Sequence, residues 1–133
     1  MEELLAYEMA NSEEEKLNIL KQIKIIELNN ARDTELANLK VKFTLSTGEE
    51  AEFDADEISQ TRLTRALSAL KDDEKISWIG TNYKIYKLTK EDCYSGLRVA
   101  GELQTQLFAK CAELKAKVLT AQTEEDIKAV SWD

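Results

Sequence analysis

At 133 residues, with 43% hydrophobic and 33% charged residues and no proline, the chain suits one helix-rich soluble domain rather than a disordered tract. A net charge of -8, with 18 basic against 26 acidic residues and no basic cluster, argues against nucleic acid as a partner. No apolar run approaches the roughly 20 residues that span a bilayer, so no membrane partner is expected, and the acidic start MEELLAYEMANSEEE lacks the basic flank of a signal peptide.

The first 39 residues read as mostly helical. Leu4, Leu5 and Met9 share a short apolar face, and Ser12 to Glu15 has the S-x-x-E form of a capping box. From Glu13 to about Asn38 the pattern Leu17, Leu20, Ile23, Ile26, Leu28, widened by Ile19 and Ile25, predicts an amphipathic helix. Asn29, Asn30 and Asp33 weaken it. Ile19, Ile23, Ile26 and Asn30 also fit a short coiled-coil seam with a polar residue in it, so the helix either packs on its own domain or joins another chain, a homo-oligomer included.

Residues 41–45 alternate as a strand, Gly48 supplies a positive φ in the turn, and residues 51–53 return as a second strand. Asp54 with Glu57 three residues on predicts a capping box for a helix over residues 55–70. Asp54, Asp56 and Glu57 also raise a divalent-cation site, but capping accounts for them and no further ligand set accompanies them. Gln60 and Arg62 lie where they either face solvent or meet a partner. Residues 76–79 and 83–88 predict a second hairpin, with Tyr83 and Ile85 on one face and Tyr86 on the other. Its aromatics Trp78, Tyr83 and Tyr86 are either cross-strand packing or a binding platform for a sugar or peptide.

Thr89, with Asp92 three residues on, caps the longest predicted helix, which runs to about Leu119. Cys93, Leu97, Ala100, Gln104, Leu107, Cys111, Leu114 and Val118 follow a 4-3-4-3 spacing, and Phe108 broadens the face. The stripe fits packing within the domain or a partner helix. Gly96 and Gly101 weaken this helix and allow a close approach. Thr123 caps a short final helix, and Ile127, Val130 and Trp132 form an apolar tail that must dock.

Cys93 and Cys111 lie on one predicted helix, roughly 27 Å apart at about 1.5 Å per residue, far beyond disulfide reach. Without histidine, a paired cysteine site, a Gly-rich phosphate loop or a nucleophile motif, the residues point to no enzyme, no metal and no cofactor.

The ordered set of Ile26-Glu27-Leu28-Asn29-Asn30-Ala31-Arg32-Asp33, Phe53-Asp54-Ala55-Asp56, Ser59-Gln60 with Arg62-Leu63, Ile76 and Trp78, Leu88-Thr89 near Asp92, and the tail from Thr123 to Trp132 resembles a small uncharacterised domain of tailed-phage and prophage tail-fibre proteins. The similarity covers about residues 24–132 and leaves the acidic start outside, which divides the chain into an acidic helical segment, 1–23, and a tail-fibre-associated α+β domain, 24–133.

The resemblance implies a structural or assembly role in a phage tail and supplies no catalytic residues. A chain of this length cannot make a fibre, so it is a fragment or a small separate protein. The latter reads as an accessory or assembly chaperone that binds a tail-fibre polypeptide through the hairpin aromatics and through Leu97, Gln104, Leu107 and Phe108. Two alternatives stay open: a structural fibre domain contacting receptor or glycan, and a small acidic cytoplasmic regulator of a basic partner. The expected location is the host bacterial cytoplasm, with the virion tail as the alternative. The expected fold is α+β: long N- and C-terminal helices and a middle helix packed with two β-hairpins in a small antiparallel sheet.

Overall fold

A computed structural model describes residues 12–133. The fold is α+β. In chain order the described elements are α1 (Glu13–Ala37), β1 (Lys40–Thr44), β2 (Glu50–Asp54), α2 (Glu57–Ser68), β3 (Ile76–Ile79), β4 (Ile85–Leu88), α3 (Lys90–Thr120) and α4 (Glu124–Ala129). The apolar face expected at Leu4, Leu5 and Met9 lies outside the described residues.

Helix α1 starts where the Glu15 N–H donates to Ser12 Oγ at 3.1 Å. It continues through Asn29, Asn30 and Asp33 without a break. The division between residues 23 and 24 therefore falls inside a continuous helix. The described residues form two compact units, one comprising those up to Thr34 with Leu107–Asp133, the other Glu35–Gln106.

In the unit Glu35–Gln106, β1 and β2 pair antiparallel, with Val41 opposite Phe53 and Phe43 opposite Ala51. Strand periodicity sends these four side chains inward and Lys40, Lys42, Glu50 and Asp54 outward. Val41, Leu45, Ala51, Phe53, Leu88, Cys93 and Ala100 are buried together. Phe53 meets Tyr86 edge-on, with ring centroids 5.5 Å apart. Burial of such a ring contributes roughly 2–3 kcal/mol. Gly96 on α3 does allow a close approach, but to a strand rather than a helix: a Cβ there would lie 3.1 Å from the Phe43 ring, whereas one on Gly101 would meet nothing within 4 Å. Gly48 turns the first hairpin at φ 90°.

The two hairpins form two separate two-stranded sheets rather than one. They are tied where the Thr81 N–H donates to the Glu52 carbonyl at 2.9 Å and the Thr81 hydroxyl to Glu52 Oε1 at 2.7 Å, and again where Lys84 Nζ donates to Glu49 Oε2 at 2.8 Å.

The junction after β2 corrects one expectation. Asp54 is not the N-cap of α2, and Asp54 with Glu57 is not its capping box. The Ala55 N–H donates to the Leu39 carbonyl at 2.8 Å, which prolongs the strand pairing, and the Ala55 side chain is buried. The backbone turns helical only after Asp56, the N-cap, leaving Glu57 as the first helical residue. Asp56 accepts the Ser59 hydroxyl, and that bond leads the causes holding its carboxyl below the usual range. Asp54 instead faces Lys40 across the ladder, and the two form an ion pair at 3.0 Å.

Thr89 and Thr123 cap as their spacing predicts. The Asp92 N–H donates to Thr89 Oγ1 at 3.1 Å while the Thr89 N–H donates to Asp92 Oδ2 at 3.0 Å, a reciprocal capping box. The Asp126 N–H donates to Thr123 Oγ1 at 3.1 Å.

In the other unit, Leu28, Cys111, Val118 and Val130 form a buried cluster with Ile25, Leu114 and Trp132 against it. Trp132 docks there, with Lys110 Nζ 4.2 Å from its ring centroid. Both cysteines are free and buried, and burial pushes the Cys93 thiol up to about 11. Among the described residues no helix is long and apolar enough to cross a membrane.

A candidate binding cleft beside the second hairpin

Strand β3 pairs with β4 so that Trp78 faces Tyr86 and Ile79 faces Ile85. The inward residues are Ile76, Trp78, Tyr86 and Leu88; the outward ones are Ser77, Ile79, Ile85 and Lys87. This reverses the expected phase of the second strand. The strand begins at Ile85, because Tyr83 belongs to the turn, and Tyr86 rather than Ile85 enters the core. An apolar, β-branched residue on the outer face cannot be told from a core residue by alternation alone.

The three hairpin aromatics therefore part company. Tyr86 is only 6% exposed; it packs on Phe53, and its hydroxyl accepts from Asn82 Nδ2 at 3.0 Å. It is a core residue and no part of a surface platform. Trp78 is half-buried, with its inner part against the core. Tyr83 is 89% exposed.

Tyr83 also sits at φ 64°, the one non-glycine positive φ among the described residues. The turn explains why. The Gly80 N–H donates to the Lys84 carbonyl at 2.9 Å and the Tyr83 N–H returns to the Gly80 carbonyl at 2.9 Å, closing a three-residue loop whose last position is left-handed. Glycine or asparagine suits that position; a tyrosine there stores about 1–2 kcal/mol of strain. Gly80 itself is needed for space, since a Cβ on it would lie 2.8 Å from the Tyr86 ring and 3.1 Å from the Glu52 carbonyl.

Trp78, Ile79 and Tyr83 form one wall of an open cleft of about 710 Å³. The other walls come from the ends of the first hairpin, Lys40 and Asp54, and from Ser59 and Arg62 of α2. The Asp54 hydrogen bond, then its charge, holds the Lys40 ammonium above its ordinary pKa. Among the described residues no carboxylate pairs with the Arg62 guanidinium. Ile79 and, outside the cleft, Ile85 are each 62% exposed and extend the apolar surface around the hairpin. A smaller cavity of about 20 Å³ lies behind Trp78 among Phe43, Leu63, Leu97 and Ala100, room for no more than a water molecule.

The candidate residues on α3 are placed differently. Leu97 packs against the hairpin core, and Gln104 Oε1 accepts from Gln60 Nε2 at 3.5 Å. Leu107 is half-buried on the same helix. Phe108, 45% exposed, carries the Arg32 guanidinium 5.1 Å from its ring centroid. The 4-3-4-3 stripe is thus mainly the inner face of α3: Cys93, Ala100, Cys111 and Val118 along it are at most 2% exposed. Leu97 and Gln104 do not line the cleft.

Two residues in these walls escaped the sequence patterns. Ile79 lay inside an apolar strand with no sign of its outward direction. The alternation starts the strand at Val41, whereas Lys40 is the first strand residue and faces Asp54. Asp92, foreseen only as a cap partner, is the one charged side chain among the buried residues that the structure describes, at 4% exposure. It also accepts the Ser46 N–H at 2.8 Å and the Ser46 hydroxyl at 3.0 Å. Burial alone would raise its carboxyl, but the hydrogen bonds from Thr89 and Ser46 outweigh that and hold it below the ordinary range.

The arrangement is that of a small α+β chain with an open, aromatic-walled cleft on its second hairpin. The sequence model of the family described as "Domain of unknown function (DUF4376)" matches residues 19–131, and the chain belongs to that family. No curated protein and no solved structure matches the chain.

Proposed function

We propose that the protein is a non-enzymatic accessory of a phage or prophage tail fibre that binds the fibre polypeptide in the cleft beside the second hairpin. The fibre assignment rests on the ordered sequence motifs. The choice of surface rests on one observation above all: an 89% exposed tyrosine held at φ 64° on the rim of a 710 Å³ cleft. A strained, solvent-facing aromatic gains nothing for the fold, so its use is in contact with a partner. Exposed Ile79 and Ile85 extend that contact, and an assembly-chaperone role suits a surface that shields apolar parts of an unassembled fibre.

Co-expression with a fibre polypeptide tests the reading. The expected outcome is a soluble, trimeric fibre with the protein and an insoluble one without it or with a Tyr83→Gly, Ile79→Ser double variant. A fibre that folds and trimerises equally well alone overturns the chaperone role. A second reading, a fibre domain contacting glycan, is favoured by Trp78 sharing the cleft with Arg62 and the Lys40–Asp54 pair, a combination of aromatic face and polar groups that suits a sugar. Purified virions that lack the protein exclude it.

A further inference from the structure

Helix α1 meets its own unit along one line of residues, and a second, apolar line runs on another side of the helix. Lys21 Nζ donates to the Leu119 carbonyl at 3.0 Å, Ile25 and Leu28 join the cluster with Cys111 and Val118, and Arg32 stacks on Phe108. These four positions follow a 4-3-4 spacing along one side of the helix. Ile19, Ile23, Ile26 and Asn30 follow the same spacing, each two residues earlier. At about 100° per residue, the second line lies roughly 160° from the first, on the opposite side of the helix. Ile19 and Ile23 are half-buried, Ile26 is 43% exposed, Asn30 is exposed, and neither described core cluster takes in Ile19, Ile23 or Ile26.

We propose that this outer line is a self-association seam, at which copies of this chain pack their α1 helices in parallel and in register. The 4-3-4 spacing is that of a coiled-coil core, with Ile23 and Asn30 at one type of core position and Ile19 and Ile26 at the other. Asn30 selects the occupant. In a parallel, in-register assembly of identical helices Asn30 meets Asn30 and the amides hydrogen-bond; an antiparallel or shifted helix sets an isoleucine against it and leaves the amide unpaired. The flanks agree, since the parallel register brings Gln22 of one helix beside Glu27 of the next and opposes no like charges. Isoleucine at both core positions favours more than two helices. The inference stands apart from the fibre reading, because it concerns the opposite side of α1 and needs no other protein.

Sedimentation equilibrium on the full chain tests it. The expected mass is a multiple of 15.1 kDa, and Ile26→Glu returns the protein to a 15.1 kDa monomer with an unchanged circular dichroism spectrum. Should Ile26→Glu fail to fold, a second variant decides. Asn30→Cys forms an intermolecular disulfide on oxidation, whereas Asn18→Cys, on another side of the helix, does not; the native cysteines are buried and contribute little background. A 15.1 kDa monomer at the highest attainable concentration overturns the proposal, whether the line is covered within the chain or by a different protein. So does cross-linking that is equal at both engineered positions.

Discussion

The two hairpins are built from similar stretches of sequence and end with opposite outer faces. The first shows Lys40, Lys42, Glu50 and Asp54 to solvent, with ion pairs Lys40–Asp54 at 3.0 Å and Lys42–Glu50 at 3.8 Å. Its turn is fastened by Ser46 to the buried Asp92 at the start of α3. The second shows Ile79 and Ile85 to solvent, directly opposite one another, and holds a strained tyrosine at its tip. Charged outer faces protect a short sheet against unwanted pairing; apolar ones invite contact. The difference separates a hairpin that holds the fold from one that offers a surface.

The largest test of that contrast is a truncation in the shared core. Phe53→Ala removes a ring that is 4% exposed and packed on both Phe43 and Tyr86; it is expected to cost about 3–5 kcal/mol in denaturant unfolding.

Next comes the fastening of the first hairpin. Asp92→Ala leaves the donors of Ser46 and Thr89 without their acceptor and is expected to cost about 2–3 kcal/mol. The same carboxylate gives a pH dependence of known sign. Its pKa is lower folded than unfolded, so its contribution is complete above the ordinary aspartate value of 3.8 and is lost as pH falls through the lower folded value. Asp92→Asn is expected to flatten the acid limb of melting temperature against pH; an unchanged acid limb assigns that limb to other carboxylates.

Smaller effects sharpen the junction and the tip. Asp56→Ala is expected to cost about 1 kcal/mol, the scale of the lost hydrogen bond to Ser59 at the start of α2, and Asp54→Ala clearly less, the reverse of the order that the D-x-x-E spacing predicts. Tyr83→Gly is expected to stabilise by about 1 kcal/mol through relief of the left-handed backbone. The smallest change falls on the outer face of the second hairpin, where Ile79→Ser and Ile85→Ser are each expected to stay within about 0.5 kcal/mol of the parent. The paired melting curves check all of these.

Much of the fold was legible in the sequence because local chemistry dictates it. The Thr89 and Thr123 boxes, the Gly48 turn and the β3 boundaries follow from spacing and from the residues each position tolerates. The cap of α2 falls two residues later than the D-x-x-E spacing predicts because a single long-range bond, Ala55 N–H to the Leu39 carbonyl, extends the strand, and no local pattern records it. The cleft was legible only in part. Trp78 and Tyr83 stood out as aromatics, but which way Tyr86 pointed depended on Phe53, more than thirty residues earlier in the chain. The stripe on α3 was clear as a period and ambiguous as a surface, since a core and a partner helix demand the same spacing.

The most direct measurement of the central claim is the affinity of a fibre polypeptide for the parent protein and for Tyr83→Gly, read beside their melting temperatures. The expected result is a variant that melts higher and binds at least tenfold more weakly. Equal affinity for both proteins, or binding to neither, contradicts the assignment of the second hairpin as the partner-binding surface.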